Sequence, residues 1–201
     1  MPRLPLLFAL LLCATCWSQA QEPVPAESAS AEKVIIDTDI GDDIDDAFAL
    51  ALALHSPELK ILGVTTTFGD TELRAKLTDR FLGEAGRPDI PVAAGTATEA
   101  KNPMSQHRYA EGGMFAKPSR GKAVDFLLEQ IQKYPGQITL IGIGPLINVG
   151  EAIDKDPATF KKLKRVVIMG GSIKRGYGDA GYGTPTPPER EWNIVNGISG
   201  A

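Results

Sequence analysis

Short apolar runs alternate along the chain with longer mixed segments, and glycine, proline and polar residues separate them. The apolar runs predict five strands, at residues 33–38, 59–67, 90–94, 137–143 and 165–169, the last of them buried. The mixed segments predict helices at residues 44–55, 72–86, 121–134 and 145–154. Thr71 is the predicted cap and Gly86 the predicted stop of the second helix, and Pro145 lies in the first turn of the fourth. This order predicts an α/β fold with an open, mostly parallel sheet and helices on both faces.

Two long segments lack this alternation. Residues 95–120 are polar and contain glycine, and residues 170–190 are rich in Gly, Tyr, Thr and Pro. Both are predicted to be loops. Long loops of this kind are often binding segments or lids, although a merely flexible insertion is the alternative for residues 170–190.

Carboxylates are concentrated between the first predicted strand and the first predicted helix. Six of the ten residues in this stretch are aspartates: Asp37, Asp39, Asp42, Asp43, Asp45 and Asp46. They follow the apolar run 34–36 and precede the apolar run 47–54. The acids therefore collect where the carboxyl end of a strand meets the amino end of a helix, which is where ligands bind in open α/β sheets.

Electrostatics make this cluster informative. Two carboxylates about 4 Å apart repel by roughly 1 kcal/mol even in bulk water, and by more in a partly dry cleft. No Lys or Arg lies between Asp37 and Leu59 in the sequence. A hard divalent cation with oxygen ligands, Ca²⁺ or Mg²⁺, is therefore the simplest source of relief.

Helix capping and an EF-hand loop account for the cluster less well. Capping explains Asp43 and Asp45 but not Asp37 and Asp39, which are on the strand side. An EF-hand loop fits poorly, because its required glycine and bidentate glutamate fall on Asp42 and Phe48. Asp42 is interpreted as an exposed loop acid.

The N-terminal segment and the charge of the chain indicate its location and exclude one class of partner. Arg3, the apolar run 4–12 and the Ser18-Gln19-Ala20 segment predict a signal peptide over residues 1–20 and a secreted or periplasmic protein. Residues 21–32 are expected to be a disordered lead-in to one domain over residues 33–201. A net charge of −4 and the lack of a basic stripe argue against nucleic-acid binding. No membrane association is expected after signal cleavage, and a homo-oligomer is compatible with the sequence.

The acidic segment resembles a known signature. Val34-Ile35-Ile36-Asp37-Thr38-Asp39-Ile40-Gly41-Asp42-Asp43-Ile44-Asp45-Asp46-Ala47 is similar to the Asp-x-Asp-Pro-Gly-x-Asp-Asp-Ala motif of the nucleoside hydrolases, the inosine-uridine-preferring N-ribohydrolases. It departs from that motif in having Ile40 for Pro and two extra residues before the Asp45-Asp46 pair. Further similar segments follow in the family's order: Gly63 to Thr71, Gly144-Pro145-Leu146-Ile147-Asn148, Val167-Ile168-Met169-Gly170-Gly171 and Glu191-Trp192-Asn193. An Asn is common in the family where Asp70 stands.

The resemblance implies a role for each of these residues. Ca²⁺ would be held by the Asp39 and Asp46 carboxylates and by the Ile143 backbone carbonyl. The substrate would be contacted by a second group of side chains, namely Asp45, Asp70, Met169, Glu191 and Asn193. The implied reaction is hydrolysis of the N-glycosidic bond of a ribonucleoside by a metal-bound water, with Asp39 as general base and a place in purine or pyrimidine salvage.

The resemblance also implies that the chain is shorter than its family. Members continue beyond the Glu-x-Asn segment, so roughly the last third of the fold, including one more Asp ligand, is expected to be missing. The alternative function is therefore a non-catalytic, truncated fragment that binds Ca²⁺ or ribose weakly. A haloacid-dehalogenase-type phosphatase also opens with a strand and Asp-x-Asp, but it requires Thr or Val where Gly41 stands.

Overall fold

The computed structural model describes residues 31–111, 121–171 and 192–197. Its strands are β1 (Glu32–Thr38), β2 (Leu59–Thr66), β3 (Val92–Ala94), β4 (Ile138–Gly142) and β5 (Arg165–Ile168). Its helices are α1 (Asp45–Leu54), α2 (Thr71–Glu84), α3 (His107–Glu111), α4 (Ala123–Lys133), α5 (Ile147–Lys155), α6 (Pro157–Phe160) and α7 (Trp192–Gly197). In the described part of the chain, no helix is both long enough and apolar enough to cross a membrane.

The five strands form one sheet in the order β3-β2-β1-β4-β5, and every neighbouring pair is parallel. β1 is central, with β2 on one side and β4 on the other. The predicted parallel α/β sheet is confirmed. Because all strands point the same way, their carboxyl ends meet at one edge of the sheet.

Alternate residues of β1 face two separate hydrophobic layers, as the pleat of a strand requires. Val34 and Ile36 pack in a cluster with residues of α1 and α2, including Leu50 and Leu77. Ile35 packs in a second cluster, which contains residues of α4, β4 and α5. The predicted helices on both faces are therefore confirmed.

The sequence misplaced several local features. Asp70, not Thr71, caps α2, because its carboxylate accepts a hydrogen bond from the Leu73 amide at 2.9 Å. The predicted stop at Gly86 is confirmed by its positive φ of 73° just after the helix. The predicted loop 95–120 contains the short helix α3, and α6 follows α5 without having been predicted.

β5 was wrongly predicted to be buried. Its side chains are exposed, and Val167 retains 45% of its accessible surface. The physical reason is that β5 lies at the edge of the described sheet and no described helix packs closely on its faces. An apolar run alone does not distinguish a covered strand from an edge strand.

An irregularity in β2 explains one of its residues. The β1–β2 register shifts between Val34 and Ile35, so that Leu62 is the extra residue of a bulge and Gly63 pairs with Ile35. A β-carbon at Gly63 would collide with the buried Phe126 ring of α4 and lie 2.7 Å from its Cε1 atom. The missing side chain at residue 63 therefore lets α4 sit close to the sheet.

Gly63→Ala should destabilise the protein by about 1–3 kcal/mol, the usual cost of overpacking a filled core. Gly150→Ala is the matched control inside α5, where the nearest atom to a new β-carbon is the Gly197 carbonyl oxygen at 3.8 Å. Because alanine favours the helix, Gly150→Ala should stabilise by roughly 0.5–1 kcal/mol. Urea unfolding measures both changes, and equal midpoints for the two variants would contradict this packing of α4 on the sheet.

Candidate active site

The predicted site residues lie where the parallel strands end. The backbone ladder continues past the strand ends, because the Ile143 amide donates to the Asp37 carbonyl and the Met169 amide to the Gly142 carbonyl, both at 2.8 Å. Asp39 follows β1 directly, and Asp46 lies in the first turn of α1. The structure thus brings the ends of β1, β4 and β5 to one edge of the sheet, as expected.

A buried hydroxyl orients Asp46. Thr38 is 1% exposed, and its hydroxyl donates to Asp46 Oδ1 at 2.8 Å. The same hydroxyl accepts a hydrogen bond from the Ile40 amide at 3.0 Å, which holds the turn. No pattern in the sequence marks Thr38, because its role depends on a side-chain contact between the end of a strand and the start of a helix.

A basic side chain reaches the acidic turn, although none lies between Asp37 and Leu59 in the sequence. Arg74, from α2, is only 2% exposed. Its guanidinium donates to the backbone carbonyls of Asp39 and, at 3.0 Å, Ile40. Its Nη2 atom forms a salt bridge with Asp42 Oδ2 at 2.7 Å. The sequence between residues 37 and 59 does not reveal this cation, because Arg74 comes from the next βα unit.

Asp42 is likewise more than an exposed loop acid. Its side chain keeps 45% of its accessible surface, but one carboxylate oxygen pairs with Arg74. The other accepts a hydrogen bond from the Ser105 amide at 2.9 Å. Asp42 therefore joins the acidic turn to α2 and to the segment that precedes α3.

Burial and mutual repulsion oppose ionisation of the two central carboxylates. Burial, and then the charge of Asp46, raise the pKa of Asp39 to about 7, although Arg74 opposes the rise. Burial raises the pKa of Asp46 to about 6. The Thr38 hydrogen bond opposes this rise, and the charge of Asp45 adds to it. Such a pair gains stability from a nearby cation, so its electrostatics fit a metal ion.

Asp37 has a different environment from the other aspartates. Its Oδ1 atom accepts hydrogen bonds from the Thr65 hydroxyl at 2.6 Å and the Asn148 amide at 2.7 Å. Burial raises its pKa to about 6. Asp37 Oδ2 and Asn148 Oδ1 are buried atoms without a hydrogen-bond partner among the described residues. Asp37 thus ties β1 to β2 and α5 inside the sheet, below the acidic turn.

Three predicted residues meet on the β5 side of the site. The Asn193 side-chain amide, in α7, donates to the Ile143 carbonyl at 3.1 Å and to the Met169 carbonyl at 3.0 Å. The Trp192 ring, beside Asn193, makes an edge contact with the Phe68 ring at 6.0 Å between centroids. The short helix α7 therefore docks onto the carboxyl edge of the sheet, beside the predicted carbonyl ligand.

The other predicted substrate residues are more peripheral. Asp45 is exposed at the start of α1. Asp70 is exposed, caps α2 and lines a cavity of about 230 Å³ together with Arg74 and Met104. Glu191 lies outside the described residues. Their predicted contacts with substrate stay predictions.

The possible ligands form a partial set for a hard cation. Asp39 and Asp46 supply carboxylates, and Ile143 supplies a carbonyl at the end of β4. Gly144 allows β4 to approach Asp39, since a β-carbon there would lie 2.8 Å from Asp39 Oδ1. Within the ranges described, no cluster of three or more His, Cys, Asp or Glu side chains is placed to hold a metal. Asp39 and Asp46 are thus the two acidic side chains that would hold a cation at this edge.

Comparison with known proteins agrees with this fold. The chain is 38% identical over 155 residues to uridine nucleosidase 1 of Arabidopsis thaliana, covering 71% of this chain and 46% of that protein. It is 33% identical over 156 residues to the pyrimidine-specific ribonucleoside hydrolase RihA of Salmonella paratyphi B, covering 71% and 49% respectively. A solved plant nucleoside hydrolase, PpNRh1, matches with a TM-score of 0.66 and 33% identity over 82% of this chain and 54% of its own.

The share of each chain that the matches cover determines what can be said about this chain. The chain spans about half the length of the curated relatives it matches. The model of the inosine-uridine preferring nucleoside hydrolase family matches residues 34–197, which include every element of the described sheet except the first two residues of β1. The chain therefore belongs to the inosine-uridine preferring nucleoside hydrolase family.

Proposed function

We propose that the protein hydrolyses the N-glycosidic bond of ribonucleosides to free base and ribose. The observation that carries this proposal is the pair of partly buried carboxylates, Asp39 and Asp46, at the carboxyl edge of the sheet in a chain of this family. One relative is named a uridine nucleosidase and another a pyrimidine-specific ribonucleoside hydrolase. These names favour a pyrimidine ribonucleoside as the substrate class.

Ca²⁺ is the proposed cofactor, held by Asp39, Asp46 and the Ile143 carbonyl. When bound, it would supply a water that is more acidic than bulk water. The Asp39 carboxylate accepts the proton of the attacking water.

The remaining residues would bind the sugar and stabilise developing charge. Cleavage of an N-glycosidic bond passes through an oxocarbenium-like state, which the negative charges of Asp39, Asp45 and Asp46 stabilise. Asp45 and Asn193 would hold ribose hydroxyls, with Met169 and Glu191 beside the ring. Fixing the ribose in a reactive geometry lowers the entropic part of the barrier.

Asp39→Asn, made in a catalytically competent form of the protein, should lower the rate of ribose release by about 10²–10⁴-fold, the usual loss when a general base is removed. Asp43→Asn is the matched control, because it removes a neighbouring exposed carboxylate of the same turn. It should retain a rate within a few-fold of wild type. Asp42 does not serve as a control, since its carboxylate pairs with Arg74. Equal rates for Asp39→Asn and wild type would remove Asp39 from the mechanism.

The metal-free chain should lose stability as the pH rises from about 4 to about 7. The folded-state pKa values of Asp37, Asp39 and Asp46 are raised to about 6, 7 and 6, so between these limits the native state binds more protons than the unfolded state. The stability linked to these groups is fully present below the unfolded pKa and is lost as the pH passes the folded values.

Urea unfolding in the presence of a chelator, at about pH 5 and about pH 8, measures this loss. Asp39→Asn should flatten the pH dependence, because it removes the group with the highest of the three values. Added Ca²⁺ should restore stability at the higher pH, since it favours the ionised carboxylates. An identical pH dependence in wild type and Asp39→Asn would contradict the assignment.

A second candidate, a non-catalytic fragment that binds Ca²⁺ or ribose weakly, is favoured by one observation. Among the described residues, the proposed ligands are two carboxylates and one carbonyl, whereas Ca²⁺ prefers six to eight oxygen ligands. Waters can complete the shell, but each one replaces a charged ligand with a neutral one. Under this second candidate, the ligands among the described residues would bind Ca²⁺ only weakly.

Calorimetric Ca²⁺ titration of residues 21–201, together with assays of ribose release from inosine and uridine, separates the two candidates. The fragment hypothesis predicts weak binding and turnover near background. Tight binding with sustained turnover would exclude it and support the hydrolase. Asp39→Asn is the blank for residual release in both assays.

A further inference from the structure

Arg74 contacts two loops that end neighbouring strands. From α2 its Nε atom donates to the Phe68 carbonyl, which follows β2, at 2.8 Å. Its Nη1 atom donates to the carbonyls of Asp39 and Ile40, which follow β1. The guanidinium thus bonds three backbone carbonyls from two loops and, through Nη2, the carboxylate of Asp42.

Both loops are shaped around this guanidinium. Phe68 is the one described non-glycine residue with a positive φ, at 63°, and Gly69 follows it at 64°. Gly41 has a φ of 126°, and a β-carbon there would lie 3.4 Å from Arg74 Nη1. Left-handed backbone at a bulky residue is strained and persists only where surrounding contacts hold it. The bond from Arg74 to Phe68 is such a contact.

A third segment is fixed to the same turn through Asp42. Its carboxylate accepts the Ser105 amide, and its carbonyl accepts the Ser105 hydroxyl at 2.9 Å. The Gln106 amide donates to the Gly41 carbonyl at 2.9 Å. The buried Met104 side chain packs directly on Gly41. The position of residues 104–106 therefore depends on the position of the acidic turn, which Arg74 and Asp42 fix.

The position of Arg74 needs a specific reason. A buried cation is costly, and a positive charge near the amino end of a helix is opposed by the helix dipole. Only a planar group with donors on three nitrogens can satisfy two loops and a carboxylate at once, which a lysine cannot do. The acidic turn thus compensates the positive charge of Arg74, and Arg74 in turn holds the backbone of the turn in place.

We propose that Arg74 and Asp42 are a positioning pair that fixes the acidic turn, the Phe68-Gly69 loop and residues 104–106 as one unit, so that Asp39 and Asp46 present their carboxylates to a common cation. This inference rests on the proposed function for the identity of the cation. The arrangement in which Arg74 and Asp42 hold these three segments together, the clamp, rests on the contacts of Arg74 and Asp42 alone.

Hydrogen exchange of the metal-free full chain tests the clamp directly. Asp42→Asn and Arg74→Lys should each speed exchange in residues 39–46, 68–70 and 104–106 by about ten-fold, because each removes a hydrogen bond to a charged group. Exchange in β4 should be unchanged. Asp43→Asn is the matched acidic control, and Arg87→Met, from the exposed Arg87–Asp89 pair, is the matched basic one.

Ca²⁺ titration of the same variants tests positioning. Asp42→Asn should bind Ca²⁺ about ten-fold or more weakly than Asp43→Asn does. Leu127→Ala, in the hydrophobic cluster on the other face, controls for destabilisation, since it should lower the unfolding midpoint but leave Ca²⁺ affinity unchanged. If the role of Asp42 is merely structural, Asp42→Asn should, like Leu127→Ala, lower the unfolding midpoint and leave Ca²⁺ affinity unchanged.

The outcomes separate this inference from the proposed function. If both Asp42→Asn and Arg74→Lys exchange at the wild-type rate in the three segments, the positioning pair is overturned. It is also overturned if exchange becomes faster but Ca²⁺ affinity stays unchanged. If the wild type binds no Ca²⁺, the proposed cofactor fails and the exchange result alone decides the clamp. A wild type that binds Ca²⁺ but releases no ribose would defeat the proposed reaction and leave the pair intact.

Discussion

The parallel register of β1 with both of its neighbours determines where every group of the site lies. Asp37 pairs with Thr65 of β2 and with Gly142 of β4, so the three strands reach the edge of the sheet at the same level. The Thr65 hydroxyl can therefore bond the Asp37 carboxylate, and the residues after each strand emerge side by side. A shift of one residue in β1 would send its side chains to the opposite face and separate Asp39 from Ile143.

Gathering carboxylates at this edge has a cost that the surrounding residues only partly offset. Burial and repulsion raise the pKa values of Asp39 and Asp46, while the Thr38 hydroxyl and the Arg74 guanidinium act in the opposite direction. The rise that remains indicates that these internal partners do not fully stabilise two negative charges. The negative charge that stays uncompensated is the source of the affinity that such a site would have for a cation. A second buried arginine would stabilise the turn further, but it would weaken that affinity.

The sequence predicted most of the local pattern, apart from the cap of α2 and the short helices α3 and α6, and it missed what depends on distant contacts. The strands, their parallel order and the position of the acidic turn follow from apolar periodicity and from the Asp37 to Asp46 segment. The pairing of Asp42 with Arg74 joins residues 32 positions apart, and no periodicity marks it. The exposure of β5 depends on its place at the sheet edge, which an apolar run does not reveal. The family resemblance supplied Asp39 and Asp46 but gave no role to the residues that hold them.

The side chains that hydrogen-bond to the acidic turn lie outside the hydrophobic clusters, although Ile40 and Met104 join the turn to one of them. Thr38 and Arg74 bond to backbone and carboxylate groups at the strand ends, whereas the two clusters fill the faces of the sheet below them. Changes at the turn should therefore alter binding while the sheet persists, as is usual when a function is carried by loops on a rigid scaffold. Replacing a buried, repelled carboxylate such as Asp39 with a neutral amide relieves unfavourable charge, so the change should favour folding. If Asp39 is the proposed general base, the same change would lower activity, and the residue would serve chemistry at a cost to stability.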